Sequence, residues 1–168
     1  MLSVVSATVT TMPDGPRYDD DFFAWTQHQA MVLRSMTVAE NRFDRENVAE
    51  EIESLGRSER DAVRNQVRGI IEHFLKLAHS TARQPRFDWM ASIAEARSAV
   101  GDKISPTLRR DAEIMLAKLY EDSRDRAALG LRAYGEIQTA DNLPIECPYT
   151  IEEILRRGWY PEPSGEKP

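Results

Sequence analysis

Seven charged residues recur at steps of three or four along one segment: Glu46, Glu50, Glu53, Arg57, Arg60, Arg64 and Arg68. On a helix that spacing puts them on one face, beside an apolar stripe rather than opposite it. Two chemistries follow. Arg57, Arg60, Arg64 and Arg68 could hold an anionic partner such as a phosphate backbone. The same face could instead neutralise itself. The acids precede the bases, so Glu53 to Arg57 is a favourable pair. The acids also lie toward the helix start and the bases toward its end, as the helix dipole prefers. The simpler reading is a solvated or helix-bridging face that stabilises a long helix.

A second polar set lies on mostly apolar faces. His73 falls among Ile70, Phe74 and Leu77, at the margin of the apolar arc, with Lys76 one turn on. Trp89 and Arg97 share a later segment, and Tyr120 and Asp122 lie near the core line of another. With Glu50 and Glu53, a bundle could gather these into one cluster. A histidine beside carboxylates serves acid–base work or metal binding. The alternative is a buried, hydrogen-bonded histidine among charges that satisfy one another. No Glu-x-x-His, His-x-x-x-His or HExxH spacing occurs, and His28, His73 and His79 are scattered. Phosphate-loop, dinucleotide and nucleophile-elbow motifs are absent too. No catalytic residue, metal ligand set or cofactor is therefore assigned.

The elements that must position these residues are helical. The spacing predicts a first helix over 19–36, with Asp19, Asp20 and Asp21 at its start and Phe22, Trp25, Gln29, Val32, Leu33 and Met36 facing inward. A short connection, 41–43, leads to a helix over 44–79 capped by Asp44. Its core stripe is Val48, Ile52, Leu55, Ala62 or Val63, Val67, Ile70, Phe74 and Leu77. Gly56 is its weak point, but the apolar phase continues across it, which favours one helix. A third helix is expected over 85–100, facing inward with Trp89, Ile93, Ala96 and Val100. Ser105-Pro106 signals a fourth, continuing to about residue 134. Residues 135–149 read as a loop. Thr150 and Glu153 form a capping box for a short helix over 151–157. Trp159, Tyr160 and Pro161 follow, suited to docking on the bundle or on a partner. No strand pattern is credible. The fold class expected is all-α: a bundle of about four main helices plus a short C-terminal one.

The 168 residues divide into an arm (1–16), one bundle domain (17–161) and a tail (162–168), with Met12 an alternative start. The 28 acidic and 22 basic residues give a net charge of -6, which argues against a general nucleic-acid coating role. Cys147 is the single cysteine, so no intramolecular disulfide forms. That suits a reducing, cytoplasmic compartment. No run approaches the length of a membrane helix.

Five stretches in this order carry a family resemblance: YDDDFFAWTQHQAMVLR, ENVAEEIESLGRSERDAVRNQVRGIIEHFLKLAH, the pair Trp89 and Arg97, LYEDSRDRA, and LPIECPYTIEEIL. Together, over about residues 18–161, they closely resemble the bacterial domain of unknown function 29. The resemblance implies a small all-helical bacterial domain and no known activity. It marks Asn47, Glu50, Glu51, Glu53, Gly56, Arg57, Ser58, Glu59, Arg60, His73, Lys76, Trp89, Arg97, Tyr120 and Asp122 as signature residues only. The leading expectation is a non-enzymatic interaction or structural module with an unidentified protein partner, and a homodimer is one form this could take. The alternative is a small enzyme or metal-binding bundle built on Glu50, Glu53, His73 and Arg97. Nucleic-acid binding through Arg57 to Arg68 is the weaker third.

Overall fold

Asp21 sets where the chain turns helical. Its carboxylate accepts from the Ala24 N–H at 2.9 Å, supplying an orphan donor of the first turn. Its other oxygen accepts from the Thr107 N–H at 3.3 Å, tying two helix starts together. The computed structural model describes residues 15–37 and 42–164. Residues 1–14 and 165–168 of the expected arm and tail, Met12 and Asn41 fall outside that range. Helix α1 is Phe22–Ser35 and α2 is Arg45–His79. Asp44 caps α2, accepting from the Asn47 N–H at 3.2 Å. Then come α3 (Arg86–Gly101), α4 (Pro106–Ile114), α5 (Leu116–Ala133), α6 (Ile137–Asp141) and α7 (Ile151–Leu155). No strand occurs among the described residues.

Helix α2 is the axis of the molecule. Its 35 residues are unbroken at Gly56 and Gly69, so it spans about 52 Å at 1.5 Å per residue. Its C-terminal half buries Val63, Val67, Ile70, Ile71, Phe74, Leu75 and Leu77. Those residues meet Trp89, Ile93 and Val100 of α3, Leu108 of α4, Leu119, Tyr120 and Leu131 of α5, and Ile151 and Ile154 of α7. The continuous core begins on α2 at Val63. The N-terminal half therefore runs past the core as a hairpin with α1.

The hairpin packs on small residues, and this corrects two expected faces. On α2, Ala49 and Gly56 are buried while Val48 and Leu55 are exposed. On α1, Thr26 and Ala30 are buried, and Met36 is exposed. The cause is close approach: a Cβ on Gly56 would lie 2.0 Å from the Thr26 Oγ1. Two backbones this near exclude large side chains from the contact line and move them to its margins. Gly56 is a contact point, not a hinge.

Two further expectations need correction. The fourth helix bends at Met115 into α4 and α5, with φ -87° and ψ 0° there. The hydrogen bonds Met115 N–H to Asp111 O and Leu119 N–H to Met115 O persist at 3.0 and 2.9 Å. Neither proline nor glycine marks the bend. The expected loop 135–149 contains α6, which buries Ala140. The capping box of α7 forms as expected, but the helix ends at Leu155 rather than 157. A left-handed Gly158 (φ 75°) then turns the chain back onto the core.

Candidate functional site

The charged face of α2 is a set of seams between helices. Arg34 of α1 donates to Glu53 at 2.5 and 3.1 Å and to Glu46 at 2.8 Å. That pairing holds the Glu53 carboxyl below its ordinary pKa. Arg57 reaches the same carboxylate at 3.5 Å and donates to Ser54 at 2.5 Å. Arg64 grips Asp111 of α4 through two parallel bonds of 2.7 and 2.6 Å. Arg68 donates to Asp122 of α5 at 3.1 Å, and its backbone carbonyl accepts from Ser123 at 3.0 Å. Asp122 is also paired with Lys118 at 3.2 Å. Arg60 pairs with its neighbour Asp61 at 2.9 Å. All four arginines expected to face an anionic partner thus carry a carboxylate already. Arg57 and Arg60 pair along α2, whereas Arg64 and Arg68 bond across to other helices.

The proposed acid–base cluster does not assemble. Glu53 and His73 lie on one unbroken helix, twenty residues apart, which is about 30 Å at 1.5 Å per residue. Catalytic partners need hydrogen-bond reach. Glu50 is exposed on the hairpin. His73 is half-buried; burial lowers its pKa, and its Nδ1 is enclosed without a partner. Lys76 is buried and pairs with Glu72 at 2.6 Å. Gly130 of α5 makes room for it, since a Cβ there would lie 2.6 Å from the Lys76 Cε. Trp89 is buried and meets Tyr134 edge-on at 6.1 Å. Tyr120 is buried and donates to the Pro144 carbonyl at 2.7 Å, and burial raises its pKa to about 12. Among the described residues no three His, Cys, Asp or Glu side chains converge as metal ligands would.

Arg97 is where separate signature stretches do meet. It is 4% exposed, yet no carboxylate contacts it. Its Nε donates to the Ile154 carbonyl at 2.8 Å, its Nη2 to Glu153 at 3.0 Å, and its Nη1 to Trp159 at 2.8 Å. These carbonyls lie at the end of α7 and the turn beyond it, where helix carbonyls lack intrahelical partners; that of Glu153 also accepts from the Arg156 N–H at 3.3 Å. Its guanidinium lies 5.3 Å from the Phe74 ring and 5.6 Å from the Tyr160 ring. Burial lowers the Arg97 pKa. Trp159 packs edge-on against Phe74 at 5.2 Å, so the Trp159-Tyr160 pair docks on the bundle. Cys147 is half-buried, donates to the Tyr149 carbonyl at 3.3 Å, and has its pKa raised by burial.

Sequence reasoning missed several anchors. Glu136 Oε1 accepts from Ser80 Oγ, Thr81 N, Thr81 Oγ1 and Ala82 N at 2.9 to 3.1 Å. One carboxylate so fixes the α2–α3 connection to the α5–α6 turn. Arg34, Glu72, Asp111 and Gly130 were equally unmarked. The partners of Arg34, Asp111 and Gly130 are on other helices and far off in sequence, so no local spacing reveals them; Glu72 pairs with Lys76 one turn along the same helix.

The fold and its seams define a class: an all-α domain built on one long helix, held together by charged bridges and a buried arginine anchor. The chain belongs to the family described as Domain of unknown function DUF29, whose model matches residues 17–160. It is similar in fold to the crystal structure of an α-helical protein of unknown function from Rhodospirillum rubrum. That likeness has a TM-score of 0.77 at 23% identity, covering 87% of this chain and 93% of the other. No curated protein matches the chain in sequence. No described helix is long and apolar enough to cross a membrane.

Proposed function

We propose that the chain is a helical docking module whose α1–α2 hairpin receives an amphipathic helix of a partner protein. The observation that supports this is an exposed apolar edge on the part of α2 that outruns the core. Val48, Ile52 and Leu55 recur at steps of four and three, with Val48 and Leu55 exposed. By helical phase they lie on the flank of the α1 contact opposite Glu46 and Glu53. One edge of the hairpin is thus closed by the Arg34 ion pairs, and the other exposes Val48 and Leu55 as far as Glu59, which pairs with Lys103 at 3.1 Å. Helix-in-groove recognition uses anchors of this spacing. The enzyme alternative has little support, because Glu53 and His73 stand far apart, and the nucleic-acid alternative has little because the arginines are paired.

The test has two arms. Sedimentation equilibrium of the wild type and of Leu55→Glu reads whether a second copy supplies the helix; a dimer that becomes a monomer in the variant supports the reading. If the wild type is monomeric, a photo-cross-linker at position 55 in the native host should give an adduct that Val48→Glu abolishes. A monomer with no such adduct ends the proposal.

A further inference from the structure

The cavity between α3 and the turn after α7 has features the docking reading does not use. It encloses about 230 Å³ and is lined by Ala94, Arg97, Ser98, Arg157, Gly158 and Tyr160. We infer that this cavity is a binding site for a small oxyanion, a carboxylate or a phosphate, held between the guanidinium groups of Arg97 and Arg157.

The charge is the first argument. Arg97 is buried with no carboxylate partner, and its charge is met by carbonyl dipoles and ring faces alone. A buried cation without a counter-ion makes its surroundings favourable to an anion, and the exposed Ala94, Ser98, Arg157 and Gly158 leave the cavity open for one to enter from solvent. Arg157 brings a second guanidinium, and among the described residues it has no ion pair. No acidic residue lines the cavity, in a chain whose net charge is -6.

Donor capacity is the second. A guanidinium has five N–H groups, and Arg97 uses three of them on Glu153, Ile154 and Trp159. One N–H on each Nη is left to donate to an oxyanion. The Ser98 and Tyr160 hydroxyls have no protein partner among the described residues and supply neutral donors. Ala94 and the Tyr160 ring leave room for a short apolar body behind the anionic head.

The architecture is the third. The chain turns back at Gly158, whose positive φ carries Arg157 on one side and Tyr160 on the other. The Arg157 Nη2 lies 3.4 Å from where a Gly101 Cβ would stand, so the side chain runs along the end of α3. The anchor that holds the C-terminal turn thereby becomes one wall of the site.

The test is an NMR titration at constant ionic strength with inorganic phosphate, with benzoate and with chloride. The arginine Nε–H signals of residues 97 and 157 and the Gly158 amide are the readout. Saturable shifts at millimolar phosphate or benzoate, absent with chloride, are expected, and the stronger of the two identifies the head group. Arg157→Ala should weaken binding by about tenfold or more, as loss of a charged hydrogen bond does. Arg157 is exposed and makes no bond that holds the fold, so that variant should unfold at the wild-type urea midpoint. Shifts that never saturate, or that are the same in Arg157→Ala, overturn the site. Neither outcome bears on the hairpin edge, which is a different surface.

Discussion

A single guanidinium does the work of a helix cap, a cross-link and an aromatic platform at residue 97. Three carbonyls converge on it from residues 56 to 62 positions later in the chain. Replacing it takes the side-chain donor from the Ile154 and Trp159 carbonyls, while Glu153 keeps the Arg156 N–H at 3.3 Å, and the aromatic rings lose their cation. Arg97→Gln should therefore cost about 2–3 kcal/mol, the penalty of unsatisfied buried groups rather than of lost charge alone. A urea titration followed by Trp159 fluorescence would read it, with the emission shifting red before global unfolding as the C-terminal turn detaches. A loss under about 1 kcal/mol would mean that the turn is held by Trp159 and Phe74 packing instead. The sequence marked Arg97 as a signature residue and Trp159-Tyr160 as a docking element. It could not join them, because side chain–carbonyl bonds leave no trace in residue spacing.

Between elements, small residues decide what the large ones can do. The α1–α2 contact runs over Thr26, Ala30, Ala49 and Gly56, all buried. The sequence showed a helical apolar phase through 44–79, and that phase made one long helix legible. It did not show which side of the stripe would face α1. Apolar periodicity weights large residues, whereas backbone approach selects small ones, so the N-terminal half turned out rotated from the expected stripe. The bend at Met115 was illegible for another reason: helix phase and hydrogen bonds both continue through it. Gly56→Ala is the test at this scale. The new methyl would overlap the Thr26 hydroxyl at 2.0 Å and force the helices apart, an overpacking cost of about 1–3 kcal/mol. In Gly56→Ala with Thr26→Ala the nearest former Thr26 atom is its Cβ at 3.1 Å, so part of the loss should return. A double-mutant cycle by chemical denaturation measures that coupling. Additive effects would show that the glycine does not act through Thr26.

At the scale of the whole molecule, charge ties the helices and burial disfavours the charged form of His73 and His79, and the two respond to acid in separate pH ranges. His73 and His79 both have pKa values below the ordinary 6.5, in each case because burial disfavours the charged form. The unfolded chain then takes up protons first as the pH falls. Stability from these two groups is complete above pH 6.5, declines as the pH drops through that value, and levels off below their folded pKa values. The slope cannot exceed about 1.4 kcal/mol per pH unit for each histidine. The bridging carboxylates act lower. Arg34 lowers the pKa of Glu53, Lys118 and Arg68 lower that of Asp122, and Arg109 lowers that of Glu152. Their ordinary values are 4.5, 3.8 and 4.5, so their contribution is present above those values and is lost as the pH falls further. Urea midpoints measured from pH 8 to pH 3 should thus fall in two stages. His73→Gln with His79→Gln should flatten the first stage and leave the second, since neither histidine is paired with Glu53, Asp122 or Glu152. Arg34→Met should weaken the second stage alone, by freeing Glu53 to titrate at its unfolded value. A profile with one stage near pH 4, unchanged by the histidine replacements, would show that both histidines keep their ordinary pKa in the folded chain.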